Sequence, residues 1–188
     1  AVERSLTQMS IEQIDLLLLH RPDPLMDAEE TAGALDGLIA SGKVKTIGVS
    51  NFRPWDIELL QSRSKNKLIT NQIEISLTQQ NSLTNGDLAY LQQNSISPMA
   101  WSPLGGGCLF DDSQSPLSQK LNSLAEAIGV QPEAIAIAWL LRHPAQILPI
   151  MGSNNIQRIK QFSQALTVEL DRQAWFELLQ AASGNEVA

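Results

Sequence analysis

Residues 14–20 read IDLLLLH and are followed at once by Arg21 and Pro22. Four consecutive leucines bounded by polar residues and a proline are too short for a free-standing helix. They predict a buried strand of a parallel sheet. Working outward, runs of the same kind recur at residues 45–50 (KTIGVS), 69–75 (ITNQIEI), 98–101 (PMAW) and 147–151. Helical patterns fill the intervals. Residues 1–8 carry helical spacing. Asp27 is placed to cap a helix over 28–40, with Thr31, Leu35, Leu38 and Ile39 on one side and Gly42 just past its end. Pro54 suits the first turn of a helix reaching about Ser62. Further helices are predicted at 87–93, 116–128, 132–142, 155–165 and 171–182. Strand and helix alternate throughout, which specifies an α/β chain with a parallel sheet under covering helices.

The composition agrees. The chain has 188 residues, 43% of them hydrophobic and 18% charged, which suits a globular core and not a disordered tail. The net charge of −7 argues against general nucleic-acid binding. A single cysteine excludes an internal disulfide and CxxC metal spacing, and no metal site is expected. No apolar run approaches the roughly 20 residues of a bilayer span, and the first residues lack a signal-peptide core, so a soluble cytoplasmic protein is the expectation. The opening residues already read as helix without a starting cap, which suggests that part of the protein lies upstream.

The chemically distinctive residues fall at the carboxyl ends of the predicted strands: His20, then Ser50 and Asn51, then Asn71, Gln72 and Glu74, then Trp101 and Ser102, then Gly152 and Ser153. A (β/α)8 barrel builds its active site at that face. An open doubly wound sheet also binds ligands beyond the carboxyl ends of its strands. The pattern alone leaves both open. The chain contains no GxGxxG, so a Rossmann-type dinucleotide site is not supported.

Five segments in order, LLLLHRPDP, GVSNF, NQIE, AWSPLGGG and PIMGSNNIQRI, carry a resemblance. From Leu6 to about Gly184 the chain resembles the second half of an aldo-keto reductase, of the bacterial group with HRPDP after this strand. The resemblance implies a (β/α)8 TIM barrel represented by about strands 4 to 8 with their helices, residues 1–188 forming the C-terminal part of one barrel domain. Such barrels usually take about 250 residues. It also implies NADPH-dependent reduction of aldehydes or ketones to alcohols, with a small-molecule carbonyl substrate and NADH as the lesser cofactor.

On that resemblance, His20 matches the family histidine that hydrogen-bonds the carbonyl oxygen. The bland alternative is a satisfied core histidine beside a turn. Ser50, Asn51 and Gln72 match residues that hold the nicotinamide carboxamide, whose acceptor oxygen and two N–H donors suit hydroxyl and amide partners. Asn51 alternatively caps the helix near Pro54, and Gln72 alternatively bonds backbone. Trp101 stands where the family stacks an aromatic on the nicotinamide ring, with a core tryptophan as its alternative. Ser102, Leu104 and Gly105 open the loop that approaches the pyrophosphate, or else a flexible hinge. Gly152, Ser153, Asn154 and Arg158 match the adenosine-binding segment, where free N–H groups at a helix start suit an anion. A solvated helix charge is the alternative for Arg158. Gln161 and Phe162 depart from the common Glu and Asn, which narrows the margin of NADPH over NADH.

The family's aspartate, lysine and proton-donating tyrosine belong to an upstream segment. Tyr90, the only tyrosine, is outside that motif. The 188 residues alone are therefore expected to lack turnover, and a nucleotide-binding module without turnover is the rival function. The substrate is not readable, although residues 21–26 and 185–188 are candidate lining segments.

Overall fold

The computed structural model describes residues 1–186. Of the candidate lining segment 185–188, Val187 and Ala188 lie outside the described residues. The chain forms two compact units, Ala1–Ile73 with Gly86–Pro98, and Glu74–Asn85 with Met99–Ala188.

In the first unit, α1 (Val2–Met9) leads into β1 (Ile14–Leu19), α2 (Ala28–Ala40), β2 (Val44–Ser50), α3 (Pro54–Gln61) and β3 (Leu68–Glu74), with α5 (Asp87–Gln93) before β4 (Ser97–Trp101). Strand β4 begins in this unit and ends in the other. β1, β2 and β3 pair in parallel and in chain order. The core is Ile47, Val49, Phe52, Ile57, Leu60 and Leu68, all essentially sealed from solvent. Asp27 caps α2 as its position predicts, accepting from the Glu30 N–H at 3.0 Å.

Two expectations are corrected here. β1 is only half-buried, because β2 is its one partner strand among the described residues. In α2 the fully buried pair is Ala32 and Leu35, whereas Leu38 and Ile39 remain partly exposed. The small Ala32 side chain lets the helix sit close to its neighbours, a contact that hydrophobicity alone under-weights.

Gly48 shows why β2 and β3 can pair so closely. A Cβ there would lie 2.5 Å from Thr70 Cγ2, 2.8 Å from Leu18 Cδ2 and 2.8 Å from the Thr70 carbonyl oxygen. Only glycine fits, and the backbone contact cannot be relieved by a rotamer change. The Thr70 hydroxyl in turn donates to the Ser97 carbonyl.

The second unit holds α4 (Asn81–Thr84), a 3₁₀ turn (Gly105–Phe110), α6 (Pro116–Ile128), α7 (Pro132–Leu141), β5 (Leu148–Pro149), α8 (Ile156–Phe162), a second 3₁₀ turn (Ser163–Thr167) and α9 (Arg172–Ser183). β4 and β5 pair in parallel through Met99–Leu148 and Ala100–Pro149. The strand expected over 147–151 is reduced to two residues, because Pro149 has no N–H to continue the ladder. The Ile150 N–H still reaches the Ala100 carbonyl at 2.9 Å. The helix expected over 155–165 stops at Phe162 and passes into the 3₁₀ turn.

Ala134 to Leu140 are buried on every side of α7, which makes it the central helix of the unit. Against it, Trp139 and Trp175 stack with ring centroids 4.9 Å apart and planes 9° apart. Each indole N–H donates to the other residue's carbonyl, at 3.1 and 2.9 Å. No single helix among the described residues is long and apolar enough to cross a membrane.

Two predictions follow from the first unit. Gly48→Ala is expected to destabilise the protein by about 1–3 kcal/mol, read as a lower urea midpoint with an unchanged slope. Asp36 ties α2 to the loop after α3, accepting from the Lys65 N–H at 3.0 Å and the Asn66 amide at 2.7 Å. These bonds, the Lys65 N–H foremost, hold its carboxyl below the usual aspartate range. Its contribution is present above that ordinary range and is lost as pH falls through the depressed folded-state pKa. An Asp36→Asn variant is expected to show a flatter loss of stability over that acid window than the parent; parallel acid-unfolding curves would contradict this.

Candidate cofactor and active site

The first unit presents a row of polar residues at the carboxyl end of its strands. The last paired residues of β1 and β2 are Leu19 and Val49, so His20 stands one step on, level with Ser50. β2 meets β3 through Ile47–Leu68, then Val49–Asn71 and Ser50–Gln72, with a register shift between the first two pairs. Two residues on β2 therefore span three on β3, as in a β-bulge. Without that extra residue Ser50 would face Asn71. With it, Ser50 faces Gln72. The alternation of strand side chains then puts His20, Ser50 and Gln72 on the face that Leu18, Gly48 and Thr70 share.

Hydrogen bonds fix this end. The Ser50 hydroxyl and the Asn51 N–H both donate to the Gln72 carbonyl, each at 2.9 Å. The Asn51 amide donates to Ser50 Oγ at 3.0 Å. Asn51 adopts φ +59°, a left-handed conformation that Asn tolerates better than most residues. It does not cap α3. That helix is closed by the Asp56 carboxylate, which accepts from the Arg53 N–H at 3.0 Å. The Gln72 side chain is half-buried and makes no hydrogen bond among the described residues, so its amide offers both a donor and an acceptor. His20 is exposed, also without a hydrogen-bond partner among the described residues, and is not a satisfied core histidine. Asn71 is the structural asparagine of this motif: it is buried, and its amide donates to the Phe52 carbonyl at 2.8 Å.

The second unit supplies a cavity of ≈ 650 Å³. Trp101, Ser102, Leu104, Gly152, Ser153 and Arg158 line it, all of them predicted site residues. Gly105 adjoins through Gly106 and Gly107, and Asn154 is not in the wall. Sequence reasoning missed Phe110, Glu133, Ile137 and Met151. The signal for Glu133 was available: it is the one charged residue in the otherwise apolar α7.

The loop after β4 is a defined turn and not a slack hinge. Ser102 and Gly105 to Gly107 all have positive φ, and the N–H groups of Gly105 and Gly107 return to Ser102 and Leu104 at 2.8 and 3.0 Å. Those two N–H groups are therefore not free for phosphate. A Cβ on Gly105 would sit 2.4 Å from Thr78 Oγ1, so space as well as conformation demands glycine. The expectation of free N–H groups at the start of the next helix is also corrected. The Asn155 carboxamide oxygen accepts from Gln157 and Arg158 at 2.9 and 3.3 Å, closing the end of α8. What remains for an anion is the Arg158 guanidinium, exposed and without an ion pair among the described residues.

Tyr90 sits in α5, where burial first and Glu58 second push its phenol pKa up. A proton donor to an alkoxide needs the opposite shift.

The strain and the hydrogen bond at Asn51 can be separated. Asn51→Ala is expected to cost about 1–2 kcal/mol in a denaturant melt, and Asn51→Gly clearly less, although both remove the Ser50 contact. Equal losses would assign the effect to the hydrogen bond instead.

Comparison with known proteins gives one consistent outcome. The aldo/keto reductase family matches residues 1–182. A 6-dehydroglucose reductase of Agrobacterium fabrum is 58% identical over the whole chain, and the oxidoreductase YdhF of Escherichia coli is 48% identical; in each case the chain spans 63% of the relative's length. Among solved structures, an aldo/keto reductase from Klebsiella pneumoniae in complex with NADP and acetate is 29% identical with a TM-score of 0.82, covering 97% of this chain and 62% of that one. A thermostable aldo-keto reductase in complex with the inhibitor epalrestat is 25% identical with a TM-score of 0.87, covering 97% and 64%. With five ordered motifs, the parallel βα units and these matches, the chain belongs to the aldo/keto reductase family.

Proposed function

We propose that the protein is an NADPH-dependent carbonyl reductase whose strands are five of the eight of a (β/α)8 barrel. The reading is carried by the cavity of ≈ 650 Å³, whose wall combines an aromatic face, a glycine-rich turn and an unpaired guanidinium. NADPH supplies a hydride to the carbonyl carbon. The chain's own residues bind and orient. Gln72 and Ser50 engage the nicotinamide carboxamide: the Ser50 proton is already directed at the Gln72 carbonyl, so its oxygen is left to accept. Asn51 holds Ser50 in place. Trp101 offers its ring face to the nicotinamide. Ser102, Leu104 and Gly105 shape the turn beside the pyrophosphate. Gly152, Ser153 and Asn154 take the adenosine end, and Arg158 meets the 2′-phosphate. NADPH is favoured over NADH because that guanidinium has no ion pair among the described residues, and because two Klebsiella neighbours were solved with NADP or NADPH. His20 hydrogen-bonds the carbonyl oxygen and places it for transfer.

Two relatives, at 58% and 40% identity, are named 6-dehydroglucose reductases, which points to a polyhydroxylated aldehyde as substrate. Proton delivery is assigned to groups outside these 188 residues, because Tyr90, in α5, stands outside the tyrosine motif of the family that the chain resembles. The chain by itself is therefore expected to bind cofactor without turnover.

Adding NADPH should quench tryptophan fluorescence, and Trp101→Phe should remove most of that quench. Arg158→Gln should weaken NADPH by roughly tenfold and NADH much less. Equal loss for both cofactors would sink the 2′-phosphate assignment. Robust carbonyl reduction by the 188 residues alone would overturn the placement of the proton donor.

A further inference from the structure

A second, smaller cavity of ≈ 210 Å³ lies at the other end of α7. Glu133 and Ile137 near the start of that helix line the large cavity, whereas Arg142 just past its end lines this one. From Glu133 to Arg142 is nine residues, about 14 Å of helix. The other walls are His143, Pro144, Arg172, Trp175 and Phe176.

The aromatic part of this wall is rigid. Trp175 is locked to Trp139 by the stack and by the reciprocal indole–carbonyl bonds. Phe176 meets Trp175 edge-on, with centroids 5.0 Å apart and planes at 75°. Two guanidinium groups border the same space. Arg142 donates through Nε to the Leu170 carbonyl at 3.2 Å, which fixes the group and leaves its terminal N–H donors unassigned. Arg172 lies over the Phe176 ring, 4.9 Å from its centroid. Neither forms an ion pair among the described residues. Glu169 and Asp171 border a neighbouring cavity that Arg142 shares, yet neither pairs with it, and the Asp171 carboxylate caps α9 by accepting from the Ala174 N–H at 2.7 Å. His143 Nδ1 accepts from the Ala145 N–H at 3.1 Å, so a neutral ring carries its hydrogen on Nε2, a further donor.

Two exposed guanidinium groups without an ion pair among the described residues thus border one aromatic-walled cavity. Guanidinium groups match carboxylates in a planar fork, and rigid aromatic faces match a flat ring. The volume is below the roughly 300 Å³ at which drug-sized pockets begin. We propose that this cavity is a binding site for a small planar aromatic carboxylate, of about the size of benzoate, separate from the cofactor cavity.

Sodium benzoate titrated into the ¹⁵N-labelled protein tests this. Saturable shifts are expected at the indole N–H signals of Trp175 and Trp139, with the Trp101 indole unmoved. Benzamide, the same ring without the charge, should bind about tenfold more weakly. Arg172→Gln should lose about the same factor, and Arg172→Lys, which retains the charge, should lose less. A well-dispersed spectrum of each variant confirms that it is folded. Equal binding of benzoate and benzamide, unchanged affinity in folded Arg172→Gln, absence of saturable shifts, or shifts at Trp101 in place of Trp175 would each overturn the proposal.

Discussion

The functional end of the first unit depends on how β3 registers against β2. The shift between Ile47–Leu68 and Val49–Asn71 decides that Gln72, and not Asn71, lies beside Ser50. Both are polar carboxamides, but their surroundings differ. Asn71 is buried and bonded to the Phe52 carbonyl, while the Gln72 amide, on the face shared with Gly48 and Thr70, makes no hydrogen bond among the described residues. The close approach of β2 to β3 that permits this rests on a residue with no side chain at position 48. Once the register is set, the Gln72 carbonyl accepts two hydrogen bonds, from Ser50 and from Asn51, and the left-handed turn at Asn51 follows. Two parts of one residue are thus separated: the backbone oxygen organises the strand end, and the side-chain amide makes no hydrogen bond among the described residues.

The second unit reaches the same result by other means. Its loop after β4 is shaped by consecutive positive-φ residues and by the space Thr78 leaves beside Gly105. Its helices are organised around a fully buried α7 and the paired indoles of Trp139 and Trp175. Burying two indoles is costly when their N–H groups lack acceptors. Here each acceptor is supplied by the other residue's backbone, so the pair is self-sufficient. α7 then carries cavity-lining residues at both ends, Glu133 and Ile137 at one and Arg142 at the other.

Much of this was legible in the sequence. Polar residues directly after apolar runs located the strand ends, and Asp27 and Pro54 marked helix starts because start signals are local. The same pattern put Ser50, Asn51 and Gln72 at strand ends, but it did not show the hydrogen bonds that join them. The misses share one cause: they depend on pairing between distant segments. The register shift is invisible in β3 alone. β1 reads as a buried strand from its leucines, but burial also requires neighbours. Asn155 was expected to leave N–H groups open, whereas its side chain closes them. Glu133 joins the cavity wall only because α7 folds back against the loops around Trp101 and Gly152.

The central claim is that the side chain of Gln72 recognises the nicotinamide end of a dinucleotide. Calorimetric titration of Gln72→Leu with NADPH and with 2′,5′-ADP tests it most directly, because the second ligand lacks the nicotinamide. The account predicts a loss of roughly tenfold for NADPH with the affinity for 2′,5′-ADP unchanged. Equal losses for both ligands, or no loss for NADPH, would contradict it.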